Sequence, residues 1–162
     1  MGLFFMHFKS LLEYNYWANK RLASCLGELP DEKLFADLIS SFSGIPGTLM
    51  HLEGAEQIWL NRISGKEGRG FDNQVKDRER LLSFPLTSKE WVQFISNQDN
   101  DFFDLSSSYR SIKGEPFTSV HTEIITHVVN HSSFHRGQII TMLRQLEVET
   151  IPSTDYIVFC RL

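Results

Sequence analysis

Apolar positions repeat every three to four residues over four long stretches of this chain. Phe8, Leu11, Leu12, Asn15, Ala18, Leu22 and Leu26 recur at helical spacing and predict a first helix from about His7 to Leu26, stopped by Gly27 and Pro30. Ser43-Gly44-Ile45-Pro46 opens a second, because proline is tolerated in a helix's first turn. Its stripe is Leu49, Leu52, Glu56, Trp59, Leu60 and Ile63, and Ser64-Gly65 closes it. The charged stretch from Gly65 to Leu86 reads as a surface loop. Thr87 or Ser88 caps a third helix carrying Trp91, Phe94, Ile95, Gln98, Phe102 and Leu105, with Ser106-Ser107-Ser108 at its end. Gly114 and Pro116 make Tyr109 to Val120 a turn or small hairpin. A fourth helix runs from about Ser119 to Leu146, with Ile124, Val128, Ile139, Met142 and Leu146 on one face. The tail from Thr150 to Leu162 is expected to pack back on the helices. Four one-sided stripes predict an all-α fold, a four-helix bundle, and 162 residues suit a single domain spanning 1–162.

Composition narrows the class. Hydrophobic residues at 41% and charged residues at 22% exclude a chain disordered throughout. A net charge of −4 argues against a general nucleic-acid binder, and the basic residues between Lys66 and Arg80 are interleaved with acids. Cys25 and Cys160 form no CxxC and read as free thiols of a reducing compartment. The apolar start lacks the marks of a secretory signal, and no run reaches bilayer-spanning length. The expectation is a cytoplasmic protein that binds neither nucleic acid nor membrane.

The histidines change the picture. At 100° per residue His131 and His135 fall about 20° either side of Ile124, in the middle of the apolar stripe. Buried imidazoles without partners cost on the order of 1–3 kcal/mol each, so something must satisfy both. Spacing i, i+4 stacks two side chains on one helix face, where their nitrogens can converge on an ion. His51, on the flank of the second stripe, is the candidate third ligand. Three histidines leave a position open on a divalent ion, as catalytic sites do. The competing reading is a set of core histidines bonded to carbonyls or serines. Residue 132 is Ser, so there is no HExxH motif and no zincin arrangement. His127 lies at the stripe's edge and suits a supporting or cavity role, while His7 and His121, near helix starts, are expected to be solvated. Glu53 reads as solvated, whereas Glu56, on the stripe, needs a buried partner such as Arg62, Arg136 or a tyrosine hydroxyl. Arg136 falls about 120° from Ile124 and is expected off the stripe, in a structural ion pair. Gly137 inside a helix suggests a close helix crossing. Trp17 and Trp59 are expected to pack in the core or an interface.

Three segments carry a likeness to a known family: Tyr14-Asn15-Tyr16-Trp17-Ala18-Asn19-Lys20-Arg21-Leu22, the run from His51 through Ala55, Trp59 and Leu60 to Arg62, and His127-Val128-Val129-Asn130-His131-Ser132-Ser133-Phe134-His135-Arg136-Gly137-Gln138. With Pro152-Ser153-Thr154-Asp155-Tyr156 they resemble the DinB family of the DinB/YfiT-like superfamily, in order along nearly the whole chain. The resemblance implies a four-helix bundle with a long crossover connection, paired as a homodimer. It also implies a divalent ion, nickel or zinc in relatives, at positions matching His51, His131 and His135. Superfamily relatives include S-transferases and an isomerase that use small thiols.

Two functions follow as expectations. One is a metal-dependent enzyme activating a water or a low-molecular-weight thiol, of hydrolase or S-transferase type, with Glu56 as base and Asp155 as an alternative if the tail covers the site mouth. The other is a non-catalytic metal-binding dimer serving as a stress-related sensor, carrier or binding module.

Overall fold

A computed structural model describes residues 3–66, 75, 77–111 and 113–162. In chain order it contains α1 (Leu3–Gly27), α2 (Asp31–Leu34), α3 (Gly44–Ser64), α4 (Arg78–Leu82), α5 (Pro85–Ser96), a 3-10 turn (Asp101–Asp104), strands β1 (Ser106–Arg110) and β2 (Pro116–Val120), α6 (His121–Gln145) and α7 (Tyr156–Phe159). The molecule is mostly helical. α1 packs along α5 and α6, and α3 along α6 and α5. No helix among the described residues is long and apolar enough to cross a membrane.

The opening of α3 shows how local sequence sets up the later site. Ser43 is left-handed at φ 57° and Gly44 at φ 92°, so the chain turns sharply into the helix. Ser40 Oγ accepts from the Gly44 N–H at 2.8 Å. A Cβ on Gly47 would lie 1.7 Å from the Phe42 carbonyl oxygen, so only glycine lets the 42–43 backbone lie this close to the helix. Gly65, at φ 70°, ends the helix in a left-handed cap bonded to Asn61 and Arg62 carbonyls.

Several expectations are corrected. The third long helix ends at Ser96 rather than near Leu105, because the polar run Asn97-Gln98-Asp99-Asn100 breaks it. Asp99 then accepts from the Phe102 N–H at 3.1 Å and starts a 3-10 turn that buries Phe102 and Phe103. Ser106-Ser107-Ser108 is strand, not a helix end: β1 pairs antiparallel with β2 from Ser106↔Val120 to Arg110↔Pro116, so the expected hairpin begins three residues earlier. Thr87 and Ser88 lie inside α5 and are buried, since Pro85 occupies the first turn instead. Of the expected surface loop from Gly65 to Leu86, residues 67–74 and 76 lie outside the described residues, but its last part folds. Asp77 caps α4 through the Arg80 N–H at 2.6 Å, and Leu81 and Phe84 are fully buried.

The core has two apolar clusters with a polar layer between them. Phe8, Leu12, Trp91, Phe103 and Val128 lie in one, and Leu22, Leu49, Leu52, Phe84 and Ile139 in the other. Each long helix sends a polar side chain into the gap: Asn15 and Asn19 from α1, Glu56 from α3, Ser88 from α5, Ser132 and Arg136 from α6.

Candidate metal centre

The polar layer fixes the relative rotation of the helices that carry the histidines. Glu56, 1% exposed, has its carboxylate filled. Oε1 accepts from Asn15 Nδ2 at 2.7 Å, Asn19 Nδ2 at 3.1 Å and Ser132 Oγ at 2.7 Å, and Oε2 accepts from Ser88 Oγ at 2.7 Å. Burial pushes the Glu56 carboxyl up, and the donors Ser88, Ser132 and Asn15, with the Arg136 charge, oppose that shift. Arg136 is also 1% exposed, which corrects its expected place off the stripe. It donates to the amide oxygens of Asn15 at 2.6 Å and Asn19 at 2.8 Å, and to Ser133 Oγ at 2.8 Å. Its ion pair with Glu56 therefore runs through two asparagines rather than by direct contact. Among the described residues no buried side-chain nitrogen or oxygen is left without a partner.

Ser132 and Arg136 face this layer, so the residues before each of them, His131 and His135, are turned about 100° from it. There they meet His51 from α3. His131 Nε2 lies 3.2 Å from His51 Nε2 and 3.1 Å from His135 Nε2. The ligand atoms of all three lie within 4.8 Å of one another. Two nitrogens on a tetrahedral zinc-type ion, each about 2.1 Å from it, stand about 3.4 Å apart, a separation that the His51–His131 and His131–His135 pairs nearly match. His135 Nδ1 donates to Gln138 Oε1 at 2.7 Å, which fixes its proton there and turns the Nε2 lone pair to the other rings. Burial, then His135, His51 and His127, hold His131 down to about 4. His51 is lowered by burial and by His135, and His135 by burial against the pull of Gln138. All three rings are thus neutral at neutral pH, the form that ligates.

Phe42 completes one wall. Its ring stacks on His51 at 4.0 Å between centroids and meets His135 edge-on at 5.6 Å. His51 and His131 are half-buried and His135 is buried.

Sequence reasoning brought together His51, His131 and His135 and missed Phe42 and Gln138. Gln138 stands three residues after His135, the spacing of a helix neighbour, and was a findable signal. Phe42 lies in the irregular stretch before α3, where periodicity says nothing. His127 is exposed and stands outside the cluster, its ring 5.6 Å from His131 and 5.2 Å from Trp59. His121 corrects an expectation: it is 4% exposed, with Nδ1 2.8 Å from the Phe102 carbonyl and Nε2 3.0 Å from Ser107 Oγ. The 3-10 turn at Phe102 and the hairpin's earlier start, at Ser107, supply these partners and cover it. Gly137 is exposed with nothing within 4 Å of a Cβ, so among the described residues no helix crosses there. The tail lies on α1, where Tyr14 Oη donates to the Thr154 carbonyl at 2.9 Å and Arg21 Nε to the Ser153 carbonyl at 3.1 Å. Asp155 accepts from Ser153 Oγ at 3.0 Å in that tail.

The DinB family model matches residues 5–161. The chain belongs to the DinB family. It is 31% identical over 156 residues to Protein DinB of Bacillus subtilis (strain 168), covering 90% of this chain and 89% of that protein. It is also 23% identical over 145 residues to the uncharacterized protein YizA of the same organism, covering 88% and 89%.

Proposed function

We propose that this DinB-family protein binds a divalent ion, nickel or zinc, through His51, His131 and His135 and uses it as a metal-dependent enzyme of hydrolase or S-transferase type. The observation that carries the reading is the convergence of three neutral imidazoles, with His131 Nε2 3.2 Å from His51 Nε2 and 3.1 Å from His135 Nε2 and all three ligand atoms within 4.8 Å of one another. An ion held by three neutral ligands keeps its positive charge and supplies a Lewis acid that activates a water or a small thiol as nucleophile. The chain's own part is to hold the rings in place. Gln138 sets the His135 tautomer, Phe42 braces His51, and the polar layer locks the rotation of α6 against α3. Within this reading Glu56, the base expected from sequence, becomes a positioning residue: its carboxylate is enclosed and acts on the site through Ser132. We take the whole chain as a single domain, a four-helix bundle of the family's type with a long crossover connection, paired as a homodimer in the cytoplasm.

The test begins with metal analysis of protein purified without a histidine tag. About one divalent ion per chain is expected, and none in the double variant His131→Ala/His135→Ala. An ion retained by that variant overturns the ligand set. Metal-loaded protein is then screened with generic esters and with small thiols plus electrophiles. Turnover that vanishes on chelation supports the enzyme. A bound ion without turnover across the screen favours a metal-binding module instead.

A further inference from the structure

Beyond the histidine cluster, α3 and the hairpin enclose a second feature of chemical interest. A cavity of about 520 Å³ is lined by Ala55, Ile58, Trp59 and Arg62 of α3 and by residues of the hairpin, among them Tyr109, Lys113, Glu115 and Phe117. Arg62 is its centrepiece. The guanidinium lies 4.5 Å from the Trp59 ring centroid and 4.4 Å from that of Tyr109, held between two aromatic rings. One of its five N–H donors goes to the Arg110 carbonyl at 2.9 Å. Among the described residues no carboxylate stands within ion-pair distance of it. A half-buried cation with donors to spare and no carboxylate paired to it is costly to desolvate further unless an anion joins it. Burial indeed holds the Arg62 guanidinium below its ordinary range. With Lys113 and Glu115, the cavity's charged side chains sum to +1 on a chain whose total is −4. Apart from Ser111, the rest of the wall is aromatic or aliphatic.

The cavity also has a defined relation to the cluster. His51, Ala55, Ile58 and Arg62 follow one another at i, i+4, i+7 and i+11, along one face of α3. Long helical side chains lean toward the helix N-terminus, so the guanidinium leans back toward His51, leaving on the order of 10 Å between them. The His127 ring lies 5.2 Å from Trp59 of the cavity wall and 5.6 Å from His131.

We propose that this cavity binds the carboxylate end of an elongated substrate with an apolar or aromatic body, Arg62 pairing with the anion while the reactive end, about 10 Å away, reaches the histidine cluster. The proposal rests on the metal-site reading for the reactive end alone; the anion site stands without it. Arg62 takes the carboxylate side-on from between its two rings, and Trp59, Tyr109 and Phe117 cover the apolar part. This assigns the substrate class as an organic acid and gives the hairpin a role in specificity.

The test is a titration of metal-stripped protein, in chelator, with 3-phenylpropionate and with its uncharged analogue 3-phenylpropanamide, read by two-dimensional NMR on the Trp59 indole and Arg62 Nε signals. The acid is expected to shift both signals and to bind at least tenfold more tightly than the amide. Arg62→Gln keeps the first three stem carbons and a neutral N–H donor but removes the charge. It should erase the preference for the acid, while Arg62→Lys keeps part of it. Equal binding of acid and amide, no shift at Trp59 and Arg62, or an unchanged preference in folded Arg62→Gln overturns the proposal. The two readings fail separately. Acid selectivity in a protein that takes up no ion sinks the metal site and leaves this cavity, whereas one ion per chain without acid selectivity sinks this cavity and leaves the metal site.

Discussion

At the scale of single residues, the site depends on side chains that never touch an ion. Gln138 is the clearest. Its Oε1 accepts the His135 Nδ1 proton at 2.7 Å, and without it the ring is free to take the other tautomer and to turn. Gln138→Ala should weaken zinc or nickel affinity by 10–100-fold, measured by competition with a chelator, with little change in unfolding free energy because Gln138 is only half-buried. Arg136 gives the opposite pattern, since it serves the fold. Arg136→Met leaves the enclosed Glu56 carboxylate without its balancing charge and strands the Asn15 and Asn19 oxygens. A loss of about 3–5 kcal/mol in urea unfolding is expected. The double variant Glu56→Gln/Arg136→Met should recover part of that loss, and strict additivity of the two single changes would show that the residues are not coupled.

At the scale of elements, two glycines that look alike in sequence differ in consequence. Gly47 and Gly137 both sit inside long helices. Gly47→Ala places a methyl 1.7 Å from the Phe42 carbonyl oxygen, so the 42–43 segment must move and take the Phe42 ring off His51. A loss of about 1–3 kcal/mol and weaker metal retention are expected together. Gly137→Ala meets nothing within 4 Å and should raise stability by up to about 1 kcal/mol with metal binding unchanged. Thermal and chemical unfolding of the two variants, with metal titration, checks both. The same contrast marks what was legible beforehand. The four long helices and the three histidines followed from periodicity, because a face that repeats in sequence must be buried somewhere. Arg136 was misplaced because the stripe was centred on Ile124 alone, whereas α6 packs on both α1 and α3 and buries a wider arc. Asn15 stood on the first stripe as an unexplained polar group, and its partners on α3 and α6 lie 41 and 121 residues away. Phe42 owes its place to a tight turn, and the hairpin, expected from Gly114 and Pro116, starts at Ser106 through strand pairing, neither of which has a helical period.

At the scale of the whole molecule, the depressed imidazoles link folding to pH and to metal. His51, His121, His127, His131 and His135 are all lowered from an ordinary 6.5, chiefly by burial, with His131 down to about 4. Between the ordinary value and each lowered one, the unfolded chain binds more protons than the folded one. Stability from these groups is therefore complete above about pH 6.5 and drains away as pH falls toward 4. Glu56, whose carboxyl is raised, works in the other direction, gaining for the folded state as pH drops. Comparing the metal-free protein with His131→Asn removes that contribution, since Glu56 is common to both. The variant should lose less Tm between pH 7 and pH 4.5 than the parent, and parallel curves would mean His131 is as easily protonated in the fold as in the unfolded chain. A divalent ion adds a second linkage, because it binds only the neutral rings of the folded state. Added zinc should raise Tm at pH 7, and the gain should fade below about pH 5 as protons displace the ion. A zinc-dependent rise that persists unchanged at pH 4.5 would place the ion on ligands other than these histidines. One that survives in the His131→Ala/His135→Ala variant at pH 7 would do the same.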